Sequence, residues 1–324
     1  MKSKKMFNEK PRSGFKLTDT LILLVVLAVL VLFFSLMNKQ FIAYNNISTM
    51  LRNMVLTGVL ALGLTPLMIA RGLDISFGAS ISLSSVVVAQ LYTNGINLWV
   101  ALLIGVLIAT LVGLINGLLI ENFNLIPIIA TLGTMAILQA LALVVSDSRS
   151  VSILTDELYF FATKSFLKIP IPIYVLVILI IAYWFILSFT KTGRVIYLVG
   201  ANPKVATLSG IKTKKVKILL YMFMGIAAGI ATVIIVSLTG VGMPYHGAKL
   251  SLPTLSAVVL GGISLAGGSG TVWGTMVGVL IVTVIFNGLS VLNVPSYYIQ
   301  IFQGLALILI VATYEIRNKA ALAR

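Results

Sequence analysis

Cysteine is absent from this sequence, histidine occurs once, and only eight acidic side chains stand against 23 lysines and arginines. The first absence excludes a disulfide framework, a thiolate metal site and a cysteine nucleophile. The single histidine excludes a multi-histidine metal centre and leaves His246, beside Gly247, to be read as a solvated loop residue. No stretch fits the phosphate-cradling pattern G-x-x-x-x-G-K-[ST]. The nearest glycine-rich run, "GGISLAGGSGTVWG", contains no lysine, so the chain is not expected to hydrolyse ATP by itself. Charge of either sign is scarce, at 10% of residues against roughly a quarter in soluble domains. With 59% apolar residues and a mean hydropathy of +1.11, the chain belongs in a bilayer.

What charge there is has a pattern. The net charge of +15 raises nucleic acid as a partner, but a nucleic-acid binder gathers its basic residues on one folded surface. Here Lys2, Lys4, Lys5, Lys10, Arg12 and Lys16 precede the first apolar run, seven more lie between Lys191 and Lys217, and Arg317, Lys319 and Arg324 follow the last. Short Lys/Arg-rich segments stay on the cytoplasmic side, so both termini and the central segment are expected there, joined by an even number of crossings. Residues 21–37 are too long for a signal-peptide core and lack a small-residue cleavage pattern; a retained first span is expected.

A hydrocarbon core about 30 Å thick needs roughly 20 apolar helical residues. On that measure spans are expected near 21–37, 47–70, 76–92, 98–120, 126–146, 171–189, 217–239, 251–266, 272–291 and 297–314. The expected fold is an all-α polytopic membrane protein of about ten transmembrane helices. A permease domain over 21–314 divides into halves at 21–146 and 171–314, around an extracytoplasmic loop 147–170 and a cytoplasmic coupling loop 190–217, with a basic tail before residue 21 and a short tail after 314. The third and eighth spans are short and rich in Gly, Ser or Pro. They read as broken or tilted helices lining the interior, or as small residues that permit close helix packing. The halves share landmarks in order: "GVLIAT", "NGL" at Asn116, Pro127 and "QALAL" from Gln139, then "GVLIVT", "NGL" at Asn287, Pro295 and "QGLAL" from Gln303. With five spans each, the halves would enter from opposite sides, giving an inverted repeat.

Few carboxylates approach the membrane. Glu121 follows a helix end and reaches the interface, whereas Asp74 in "RGLDISFGAS" stands at the start of the third span, where it can cap a helix, pair with Arg71 or touch substrate. The central "GANPKVATLSGIKTKK" is different in kind. Asn202 as a cap and Pro203 at the first helical position start a short helix, Lys204–Ser209 form its body and Gly210 ends it. Val205, Ala206 and Leu208 remain available for packing, as in a docking element outside the membrane.

These residues carry a resemblance. The stretches "GLDISFGAS" (72–80), "NGLLI" (116–120), "IPIIATLGTMAILQALALVVSD" (126–147), "TGRVIYLVGANPKVATLSGIKTKKVK" (192–217) and "AVVLGGISLAGGSGTVWGTMVG" (257–278) are together similar to the permease subunits of ribose-type, or simple-sugar, ATP-binding cassette importers. The resemblance implies a non-enzymatic permease in the bacterial inner membrane. Its implied partners are a cytoplasmic ATPase that carries ATP and Mg, a second permease copy or homologue, and an extracytoplasmic solute-binding protein. No cofactor on this chain, no metal and no nucleic acid are implied. It further implies that Gly200, Asn202, Pro203, Lys204, Leu208, Ser209 and Gly210 form the ATPase-coupling loop. One departure stands out: where the family carries an acidic pair before "AVVLGG", this chain has Ser251, Leu252 and Pro253, which fits either a changed sugar or a structural swap in a pore whose specificity the binding protein sets.

Asp74, Asn116, Thr131, Thr134, Gln139, Asn287 and Gln303 are candidates for the transport pathway, although polar groups in spans also bond between helices. The rival reading is an ion-coupled secondary transporter with the same inverted repeat, against which the scarcity of carboxylates argues. An intramembrane enzyme would need paired carboxylates or a metal site, and neither is present in the sequence.

Overall fold

Apolar runs bounded by Asn, Pro, Gly or basic residues become helices throughout the chain. A computed structural model describes residues 17–158, 164–167 and 169–322. The expected basic tail up to Lys16, and Arg324, lie outside them. The helices are α1 (Leu17–Met37), α2 (Tyr44–Ile69), α3 (Phe77–Thr93), α4 (Leu98–Phe123), α5 (Pro127–Val145), α6 (Ile171–Phe189), α7 (Lys191–Ala201), α8 (Pro203–Leu208), α9 (Thr213–Thr239), α10 (Ser251–Leu260), α11 (Val272–Val291) and α12 (Ser296–Leu322). Among the described residues, seven of these are long and apolar enough to cross a membrane; α3, α10 and the first part of α12 are shorter apolar helices. The protein is an all-α polytopic membrane protein.

Two elements differ from expectation. The eighth span stops at Leu260 instead of continuing to residue 266, because the chain turns at Gly261 and Gly262, the latter at φ 86°. Only glycine adopts that left-handed backbone without a Cβ penalty. The second difference is α7, an eleven-residue helix in what reads as loop. Thr190 starts it, its hydroxyl accepting from the Gly193 N–H, and its inner face of Ile196, Val199 and Gly200 is buried.

Helices α2 and α9 are the most buried of the long helices, whereas α1, α5 and α6 leave broad apolar faces for lipid. Helix α4 crosses α9 where Gly113 and Gly117 face Tyr221, Gly225 and Ile218, and α2 packs on α11 with Thr65 Oγ1 2.8 Å from Thr275 Oγ1. The two arrangements match: α3 lies on α4 and α5, as α10 lies on α11 and α12.

They also run in opposite senses. The C-terminal end of α2 and the segment leading into α9 share one end of the molecule, which carries the central basic cluster. Asn116 lies near the C-terminal end of α4 at that basic end, and Asn287 near the C-terminal end of α11 at the far end, beside Asn46. At the basic end Lys217 Nζ meets Glu121 Oε1 at 3.1 Å, joining the start of α9 to the end of α4. At the far end Val151–Ser152 pairs antiparallel with Val241–Gly242, and the following loop 243–250 folds down against α3, with the Gly247 N–H donating to Ser82 Oγ at 3.0 Å.

Candidate functional site

The short helix α8 forms for local reasons. Asn202 Oδ1 accepts from the N–H groups of Lys204 (3.1 Å) and Val205 (3.2 Å), two donors that a helix start otherwise leaves open. Pro203 follows at the position where no N–H is needed. The helix ends at Leu208, one residue short of the expected Ser209, and Gly210 closes it at φ 82°. Of its apolar residues Ala206 turns inward, whereas Val205 and Leu208 point away from the chain. Leu208 is 88% exposed on a helix outside the spans.

Behind α8, three segments meet. The Arg71 Nε donates to the Gly200 carbonyl at 2.5 Å and its Nη2 to the Ala201 carbonyl at 2.8 Å. The Gly268 N–H donates to the Ile69 carbonyl at 2.8 Å, and the Tyr197 hydroxyl to the Gly270 carbonyl at 2.8 Å. Backbones touch here: a Cβ at Gly200 would collide with the Ile69 carbonyl, and one at Gly268 would stand 2.8 Å from Ala201 Cα.

Asp74, Asn116 and Thr134 are brought together. Asp74 is buried, and its Oδ1 accepts from both the N–H and the hydroxyl of Ser76 at 2.7 Å. Asn116 Nδ2 donates to Ser76 Oγ at 2.8 Å and lies 3.5 Å from Asp74 Oδ2, while the Thr134 hydroxyl donates to Asn116 Oδ1 at 2.8 Å. One chain of hydrogen bonds therefore fastens the start of α3 to α4 and α5. Asp74 thus stabilises the turn entering α3, and Arg71 turns away toward α7.

The other candidates lie apart. Thr131 is buried and bonds to the Pro127 carbonyl of its own helix. Gln139 Nε2 donates to the Pro244 carbonyl at 2.6 Å, holding the inward loop to α5. Asn287 and Asn46 exchange amide hydrogen bonds at 2.9 and 3.0 Å, joining α11 to α2. Gln303 is half-buried on α12. Ser251 opens α10 with its hydroxyl against Gly78, and Pro253 is buried in the first turn, where a missing N–H is harmless. The departure from the acidic pair thus sits where α10 meets the start of α3. Among the described residues, Ser80 Oγ, Ser84 Oγ and Thr254 Oγ1 are buried in these two short helices with no hydrogen-bond partner.

His246 corrects its reading as a solvated residue. It is 8% exposed, because the loop tucks its ring inward where Nε2 lies 3.3 Å from Thr239 Oγ1. Burial pushes its pKa down from 6.5 to about 4. The neutral ring fits and the cation does not, so the related stability is present above pH 6.5 and is lost as pH falls toward about 4. The saturating loss is on the order of 3 kcal/mol. Thermal unfolding in detergent at pH 7.5 and pH 4.5 should show this extra acid sensitivity in the native chain and not in His246→Gln. Equal sensitivity in the two would refute it.

The sequence points to neither Tyr197 nor Asn46 as part of the site, and to Arg71 only as a partner for Asp74. An arginine immediately after an apolar helix and an asparagine immediately before the second expected span were the available signals.

Compared with known proteins, residues 46–311 match a family model described as the branched-chain amino acid transport system / permease component. The match covers the helices described above except α1, the first two residues of α2 and the last part of α12. The chain belongs to this family. The ribose import permease protein RbsC of Bacillus subtilis is 35% identical over 297 residues, which is 91% of this chain and 92% of that protein. The D-allose transport system permease protein AlsC of Escherichia coli is 33% identical, with 91% of each chain covered. The autoinducer 2 import system permease protein LsrD of Yersinia enterocolitica is 32% identical over 89% of this chain and 90% of its own. No solved structure matches. Within the family these relatives bear out the resemblance to ribose-type permeases.

Proposed function

We propose that this chain is the membrane permease subunit of an ATP-driven, binding-protein-dependent importer of a monosaccharide or a related small polar solute. The observation that carries the reading is α8: a capped helix outside the spans whose Leu208 side chain is 88% exposed. A leucine so placed gains by leaving water for an apolar groove, and the groove is that of a separate ATPase, which supplies ATP and Mg. The basic end that bears α8 is cytoplasmic, and so are both termini. A second permease copy or homologue completes the path, and an extracytoplasmic binding protein delivers the solute at the far end.

Closure of the ATPases displaces α8 and biases the spans between two packings. Asp74, Asn116, Thr134, Gln139 and Asn287 serve that movement as interhelix and loop fastenings, consistent with the partners each has, while Thr131, bonded within its own helix, and Gln303 are candidates for lining the path. The permeases for ribose, D-allose and autoinducer 2 among the relatives support a sugar-like solute.

The test is uptake of radiolabelled D-ribose and D-allose by vesicles that hold the chain, its ATPase and its binding protein. Accumulation should require internal ATP and survive ionophores. Accumulation driven by an ion gradient without ATP would replace the importer by a secondary transporter.

A further inference from the structure

We propose that Arg71 is the positioning residue that couples the ATPase-facing helices to the membrane spans; the inference rests on the importer reading above. Arg71 closes α2 in the left-handed conformation, φ 65°, of a helix C-terminal cap: its N–H donates to the Met68 carbonyl and the Gly72 N–H to the Leu67 carbonyl. That turn takes the Arg71 side chain off α2 to the end of α7.

The contacts are specific. The carbonyls of Gly200 and Ala201 are at the C-terminal end of α7, where helix carbonyls lack intrahelical donors and carry partial negative charge. The guanidinium offers two N–H groups in a rigid fork and meets both. Gly267 makes room for the arginine stem, since a Cβ there would collide with Arg71 Cγ.

The arrangement is also closed. The segment after α2 donates to α7 through Arg71, α7 donates to the loop 264–270 through Tyr197, and that loop donates back to the last residue of α2 through Gly268. Each of the three leads directly into a moving part: α2 into the buried turn of Asp74 and α3, the loop into α11, and α7 into α8. A displacement of α8 therefore reaches both short-helix regions through one ring of hydrogen bonds, and Arg71 contributes the only side chain in that ring that carries charge.

The experiment measures solute imported per ATP hydrolysed in the full complex in vesicles, with D-ribose or D-allose as the probe, for native chain, Arg71→Gly and Arg71→Lys. Glycine keeps the left-handed turn while removing both hydrogen bonds, so the turn itself survives and any loss of thermal stability is read separately from the transport ratio. The transport ratio is expected to fall about five-fold or more in Arg71→Gly, the range of ordinary coupling energies. Arg71→Lys, which keeps charge but not the fork, should fall between. A purely structural role would lower stability and leave the ratio of surviving complexes unchanged. Should Arg71→Gly fail to assemble, Arg71→Asn, which tolerates the left-handed region, takes its place with the same expected fall. An unchanged ratio in whichever variant assembles overturns the role of Arg71 alone. Absence of ATP-driven uptake by the native complex overturns the importer reading and this role together.

Discussion

Leu208→Asp is expected to reduce ATP-driven uptake and solute-stimulated ATP hydrolysis by about 100-fold or more, which corresponds to roughly 3 kcal/mol at a contact. Leu208 is 88% exposed, so within this chain it supports almost no packing and its replacement leaves the permease folded. Seated in an apolar groove, the same position would bury an unpaired carboxylate, whose desolvation no partner compensates. Leu208→Ala should give a smaller loss, because it forfeits apolar area without adding charge. Uptake, ATPase assays and co-purification of the ATPase subunit check this, alongside thermal unfolding of the isolated chain. If Leu208→Asp retains the ATPase and full uptake, α8 is not the docking element.

The largest expected effect on the fold is at Gly225. A Cβ there would collide with the Ala109 carbonyl and stand 2.9 Å from Thr110 Cα, so the obstacle is the backbone of α4. Gly229 is similar, with Val106 Cα 2.8 Å away. Rotamer changes cannot relieve such a clash, and α4 would have to part from α9 along the most extensive helix contact in the described residues. Gly225→Leu should therefore lower stability by about 3 kcal/mol or more, the upper end for overpacking. Gly133→Leu is the control, since a Cβ at Gly133 meets nothing within 4 Å and the change also removes a poor helix former. Thermal unfolding and the monodisperse fraction in detergent report both. Comparable losses in the two variants would show that the α4–α9 contact is not what makes glycine necessary.

Much of the architecture is legible without coordinates because its causes are local. The limits of α6 and α11 fall at the expected residues, 171–189 and 272–291, since polar or proline-containing segments interrupt apolar runs there. Asn202 and Pro203 announce α8 through chemistry confined to three or four residues. Helix α7 was illegible: its Gly193 and Gly200 lower local propensity, and what holds it is burial of one face and capping from Arg71, 129 positions away. The polar candidates were found as residue types but not as partners. Asn116 with Thr134 and Asn287 with Asn46 became pairs only through helix crossings, the second across 241 positions.

By itself, then, the sequence determined that this chain enters a bilayer, roughly where it crosses, which end is basic, and that a capped helix stands outside the membrane. Hydropathy, charge placement and capping are properties of short segments, so no long-range contact is needed to read them. The tertiary structure alone decided that His246 is buried and that Arg71 faces α7 instead of Asp74. Each of these depends on what the fold places opposite a residue, and a burial cost or a hydrogen bond across the molecule then outweighs the preference of the residue's own segment.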